Sequence, residues 1–93
     1  MAKGVSVESS AVEGGIRCCQ TSIQELQMAA KKLINGYQMA GSGGWSDQKY
    51  RELGRIVQDC CQAMGTPAKE LQDCLMKLEE LLKAVRRYES TDL

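Results

Sequence analysis

The stretch Gly41–Tyr50, "GSGGWSDQKY", holds the only tryptophan of a 93-residue chain that has three tyrosines and no phenylalanine. Its first four residues are all glycine or serine. On either side of it, apolar residues recur every three or four positions, the period of a helix with one dry face. Upstream the series is Ile16, Cys19, Ile23, Leu26, Ala30, Leu33, Tyr37 and Ala40. Downstream it is Tyr50, Leu53, Val57, Cys60, Met64, Pro67, Leu71, Cys74, Leu78, Leu81, Val85 and Tyr88. Steps of three and four alternate without a polar interruption, as in a helix whose seam lies against another helix. Two long helices joined by a short glycine-rich break read as an all-α, antiparallel helix-turn-helix hairpin.

The local signals set expected boundaries within a single domain spanning residues 1–93: helix one over about 9–40, the turn over 41–45, helix two over about 46–88, and a tail at 89–93. Ser10 followed by Glu13 fits a capping box, which would leave residues 1–8 extended or mobile. Gly65, Thr66 and Pro67 interrupt the second series. Proline lacks the amide donor and crowds the preceding turn, yet the heptad phase survives, so a kink at 65–67 in a nearly continuous helix is expected. Gly41, Gly43 and Gly44 supply the backbone freedom needed to reverse the chain. With Ser46 as the N-cap of helix two, Trp45 and Tyr50 would occupy the two positions of a hydrophobic staple. Asp47 would add negative charge where the helix dipole favours it.

Small residues lie beside the first seam at steps of seven: Gly15, Ser22, Ala29 and Gly36. Gly54, Cys61, Ala68, Leu75 and Leu82 lie beside the second. Helix two is therefore apolar over a strip wider than one neighbour covers. Two hairpins, identical or related, packed as a dimeric four-helix bundle would cover it. Ala29, Gly54, Cys61, Leu75 and Leu82 are the expected interface.

Composition excludes several classes of function. Twelve basic residues balance twelve acidic ones, and Arg86–Arg87 is the one basic doublet near the end, so nucleic acid is not an expected partner. The opening "MAKGVSVESS" lacks the apolar run of a secretory signal, and no segment has the length and apolarity of a membrane span. Five cysteines, Cys18, Cys19, Cys60, Cys61 and Cys74, come with no histidine and no C-x-x-C spacing. Neither a zinc site nor a thiolate nucleophile with its base is expected, nor any cofactor. The cysteines read as small apolar core residues. A chain this short buries only about 60–65% of the surface it exposes when unfolded, so a partner would complete its core.

The length, the two heptad helices and the central "GGWSD" resemble the WXG-type small proteins handled by bacterial type VII secretion systems, over nearly the whole chain. The position two after Trp45 is Asp47 where that family has glycine, so the turn signature is Trp-x-Asp. The family carries a secretion element after helix two, a tyrosine followed four residues later by an acidic residue. "YESTD" supplies Tyr88 and Asp92. Of the three tyrosines this alone fits, since Gly41 and Gly54 stand four residues after Tyr37 and Tyr50.

The resemblance implies a non-enzymatic secretion substrate or secretion partner, made in the cytoplasm and exported without a cleaved signal peptide. Its implied partners are a second hairpin, a type VII export ATPase and a larger exported toxin. Trp45, Asp47, Tyr88 and Asp92 are the implied recognition residues, with the turn of one hairpin beside the tail of the other. Tyr88 also closes the second seam and is expected to pack there. The alternative readings are a cytosolic coiled-coil adaptor, which would need neither Trp45 nor the tail, a helical partner that escorts a toxin, and a thiol redox switch.

Overall fold

In the computed structural model, the backbone of residues 2–91 and the side chains of residues 8–88 are described. Among them there are two long helices, α1 (Ala2–Ser42) and α2 (Gln48–Thr91), and no strand. The chain is a helical hairpin. It divides into two compact units. The terminal unit pairs α1 up to Ile23 with α2 from Glu70 onward, and the turn unit comprises Gln24–Lys69.

α1 begins well before the expected start. Ser10 is not a cap and the residues before it are helical. Ser9 is buried within this helix. Gly14 and Gly15 are tolerated mid-helix despite their entropic cost. A Cβ on Gly15 would lie 3.3 Å from Leu78 Cδ1, so glycine lets α2 approach there. Also in the terminal unit, Arg86 Nη2 reaches Glu13 Oε1 at 3.0 Å. Both side chains are well exposed, so the pair adds little stability.

α2 runs unbroken through Gly65, Thr66 and Pro67. Proline leaves the carbonyl of Ala63 without its helical donor. Ala63 is exposed, so water can take that place.

The core is thin. Among the described residues Ile23 and Val57 are the buried apolar side chains, and no large side chain is fully enclosed. On α1 the less exposed positions follow the expected seam, with Leu33 at its edge at 38% exposure. On α2 they follow it only in part. Here Tyr50, Leu53, Val57, Met64, Pro67, Leu71, Leu78 and Val85 of the expected seam are partly or fully buried, and Gly54, Cys61, Ala68, Leu75 and Leu82 beside it are partly buried as well. Cys60, Cys74, Leu81 and Tyr88 stand exposed. The centre of the half-buried face is displaced by about 50° from that of the apolar series, towards Cys61, Leu75 and Leu82. Gly54, Cys61, Leu75 and Leu82, expected to face a second hairpin, belong to the face that this chain itself half-buries.

The turn unit shows why. Tyr50 lies on Gly41, Tyr37 lies on Gly54, and Cys61 Sγ approaches the Ala30 carbonyl at 3.9 Å. Descending α1 matches ascending α2 residue for residue, so 41, 37 and 30 lie level with 50, 54 and 61. The two legs of this unit are antiparallel and in a fixed register.

Candidate functional site

The turn is built from two interlocking caps. Gly44 has φ of +100°, the left-handed conformation that only glycine adopts freely. Its amide donates to the Gly41 carbonyl at 3.0 Å, and the Trp45 amide donates to the Ala40 carbonyl at 3.2 Å. These two bonds are a Schellman motif with Gly44 at C′, and they satisfy carbonyls that the end of α1 would leave unpaired.

Three residues later Asp47 opens α2. Its Oδ1 accepts the Tyr50 amide at 3.0 Å, and its carbonyl accepts the Arg51 amide at 3.2 Å. Asp47 is therefore the N-cap, in place of Ser46, because its carboxylate reaches the amide three residues on. The same Oδ1 accepts the indole Nε1–H of Trp45 at 2.7 Å. One carboxylate oxygen thus starts the helix and orients the tryptophan. The indole also meets the Tyr50 ring, with centroids 5.6 Å apart and planes tilted by 53°. The expected contact between Trp45 and Tyr50 exists, shifted by one residue from staple positions. Trp45 remains 42% exposed, a large ring held in one orientation at the tip.

Beneath it lies a pair that the sequence reading missed. Tyr37 and Tyr50 stack with centroids 4.3 Å apart and planes within 4°. The Tyr50 hydroxyl donates to the Tyr37 carbonyl at 2.9 Å. Each ring covers a glycine of the opposite helix: a Cβ on Gly41 would run into the Tyr50 hydroxyl, and one on Gly54 would lie 2.6 Å from the Tyr37 hydroxyl. The signal was present as a twofold Y-x-x-x-G, Tyr37 with Gly41 and Tyr50 with Gly54, one on each side of the turn. Burial, then the hydrogen bond and charge interaction with Tyr37, raise the Tyr50 phenol above its ordinary 10.0.

The other expected recognition residues lie elsewhere. Tyr88 belongs to the terminal unit, is still helical, and is 65% exposed, so it does not close the seam. Asp92 lies outside the described residues. Ala29 is exposed, Gly54 sits under Tyr37, Cys61 turns towards Ala30, and Leu75 and Leu82 are half-buried. The cysteines are not uniformly in the core: Cys18, Cys60 and Cys74 are exposed, and all five are free thiols.

Among the described residues no three metal-ligating side chains converge, and no helix is long and apolar enough to cross a membrane. No protein-family model, curated protein or solved structure matches the chain.

Proposed function

We propose that this protein is a non-enzymatic substrate or partner of a type VII secretion system and acts as a helical-hairpin dimer. The observation that carries this reading is the half-exposed Trp45, fixed at the tip by the Asp47 carboxylate and the Tyr50 ring. A turn needs its glycines and its cap to reverse the chain. It does not need a large apolar ring held towards solvent, whereas recognition by another protein does, because aromatic anchors ordered in advance bind at low entropic cost. Asp47 supports the same reading: in this chain the residue two after the tryptophan does the capping and aims the indole.

In this proposal an export ATPase reads Trp45 at the turn, together with Tyr88 and Asp92 at the other end of α2. A hairpin with so few enclosed side chains travels with a second hairpin that covers its exposed apolar residues. That companion is a second copy, a related chain or the helical part of a larger exported toxin.

The test is export from the producing bacterium. Trp45→Phe keeps a smaller aromatic ring near Tyr50 and loses the indole N–H that Asp47 accepts, and Trp45→Ala removes the ring. Export is expected to fall sharply for Trp45→Ala, with circular dichroism of the purified protein still helical. Wild-type export of a folded Trp45→Ala protein would remove the turn from the mechanism.

A further inference from the structure

The five cysteines stand unequally with respect to the pairing of the two helices. A vicinal pair does not close on itself within a regular helix, because consecutive Cα atoms are about 3.8 Å apart and a disulfide spans about 4.4–6.8 Å. Cys18 with Cys19, and Cys60 with Cys61, therefore need partners from elsewhere. In the turn unit α1 offers none, since the register that sets Cys61 on Ala30 sets Cys60 level with Lys31.

The terminal unit differs. Its register is set by Gly15, whose missing side chain leaves room for Leu78: a Cβ there would lie 3.3 Å from Leu78 Cδ1. Farther from the turn on both helices Glu13 pairs with Arg86, so the two legs run antiparallel. Cys19 follows Gly15 by four residues and Cys74 precedes Leu78 by four. Both steps lead the same way along the pair, by about 6 Å. Cys19 and Cys74 are therefore level, one turn from the contact between Gly15 and Leu78.

Their settings are complementary. Cys19 is half-buried in the seam of α1. Cys74 is exposed, yet its helical neighbours at one, three and four residues, Leu75, Leu71 and Leu78, are all half-buried. Packed helices have axes about 8–10 Å apart, with Cα atoms about 2.3 Å from each axis. That leaves about 4–6 Å between Cα atoms at the contact, the span of a disulfide. Cys18 is exposed and rotated by about 100° from Cys19, which carries it away from α2.

From these placements we infer that Cys19 and Cys74 form a disulfide site, which staples the two legs of the terminal unit when the chain meets a small-molecule disulfide such as oxidised glutathione. The thiolate of the exposed Cys74 attacks one sulfur of the glutathione disulfide, forms a mixed disulfide and releases one glutathione thiol. The Cys19 thiolate then attacks the Cys74 sulfur and displaces the second glutathione. One S–S bond forms in the protein and one is lost from glutathione. The two protons and two electrons given up by the protein leave on two glutathione thiols.

Such a bond acts where the fold is weakest. Few apolar side chains are buried in this hairpin, and a link between residues 19 and 74 constrains a long stretch of the unfolded chain. The site does not depend on the proposed function. If the chain is exported, the bond forms outside the cell, since the cytoplasm keeps thiols reduced.

The experiment treats the full chain, reduced and dilute, with oxidised glutathione in buffer and in urea. Remaining thiols are alkylated and the products are read by intact mass and peptide mapping. In buffer, Cys19 joined to Cys74 within one chain is expected, with a thermal midpoint higher by about 10 °C or more than that of the reduced chain. Cys18→Ser is expected to behave in the same way. Cys74→Ser is expected to take up glutathione without closing a bond, and to gain nothing in midpoint. In urea the preference for this linkage is expected to disappear, because the folded register creates it. Cys74 joined to Cys18 or to a second chain, glutathione adducts alone on the folded protein, or the same linkage formed equally well in urea would each overturn the site. Export of the Trp45 variants is a separate measurement and decides the secretion reading alone.

Discussion

Gly54 and Gly65 stand in the same helix with opposite requirements. Gly65 has open space where a side chain would go, so Gly65→Ala is expected to stabilise the fold by about 0.5–1 kcal/mol through helix propensity alone. At Gly54 the Tyr37 hydroxyl and ring occupy that space. Here Gly54→Ala is expected to destabilise by about 1–3 kcal/mol, because the stacked Tyr37 ring must shift. Urea denaturation of the two variants checks both signs, and equal effects would mean that the tyrosine yields without cost. Asp47 offers a second test at this scale. Asp47→Ala removes a cap worth about 0.5–2 kcal/mol and frees the indole, so Trp45 fluorescence is expected to change along with the denaturation midpoint. The periodicity of the sequence made Gly54 visible only as a small residue beside a seam. Its reason is a ring that arrives from the other helix, and no local rule reads across a turn.

Among the elements, α2 has one internal weak point and the turn has one titrating clamp. Proline in a helix interior costs about 3 kcal/mol relative to alanine. Pro67 is half-buried, so Pro67→Ala recovers part of this cost and gives up some packing. A gain of about 1–2 kcal/mol is expected, read as a higher denaturation midpoint without loss of helicity. At the turn, the Tyr50 phenol is raised by burial and by Tyr37, so the folded state holds its proton more tightly than the unfolded chain does. Its contribution is complete below the unfolded value of about 10 and is lost as pH rises through the raised folded value. Melting temperature is therefore expected to fall above about pH 10, and to fall less steeply in Tyr50→Phe. Because the phenol donates to the Tyr37 carbonyl at 2.9 Å, Tyr50→Phe is also expected to melt lower than the parent at neutral pH. A parallel alkaline decline in both proteins would show that the clamp does not titrate with unfolding.

At the scale of the molecule, function and stability are expected to separate in the last turns of α2. Tyr88 is exposed, so Tyr88→Ala is expected to change stability by no more than about 0.5 kcal/mol, as at an ordinary surface site. On the proposed function it is expected to abolish export, as is Asp92→Ala. Measurement of both variants in cell and medium fractions, with thermal melts of the purified proteins, checks this. Normal export of either would remove that residue from the recognised element. A melting temperature that rises with protein concentration is the thermodynamic sign of the dimer.

What the sequence by itself determined is the class of structure. Its three-and-four spacing makes two helices, and its glycines and Asp47 between Ala40 and Gln48 make one reversal. These are local properties, carried by neighbours one turn apart. The sequence did not determine which edge of α2 turns inward. Leu53 and Cys60, Val57 and Met64, and Gly54 and Cys61 form three adjacent strips of comparable apolarity, and a rotation of about 50° exchanges one for another at little cost in periodicity. Only the tertiary structure decided it. Tyr37 and Tyr50 can stack across the turn only where each finds a glycine beneath it, and in the turn unit that condition brings Gly54 and Cys61 inward and leaves Cys60 to face outward. Steric fit between two rings and two missing side chains selected one of several faces that hydrophobicity alone left equivalent.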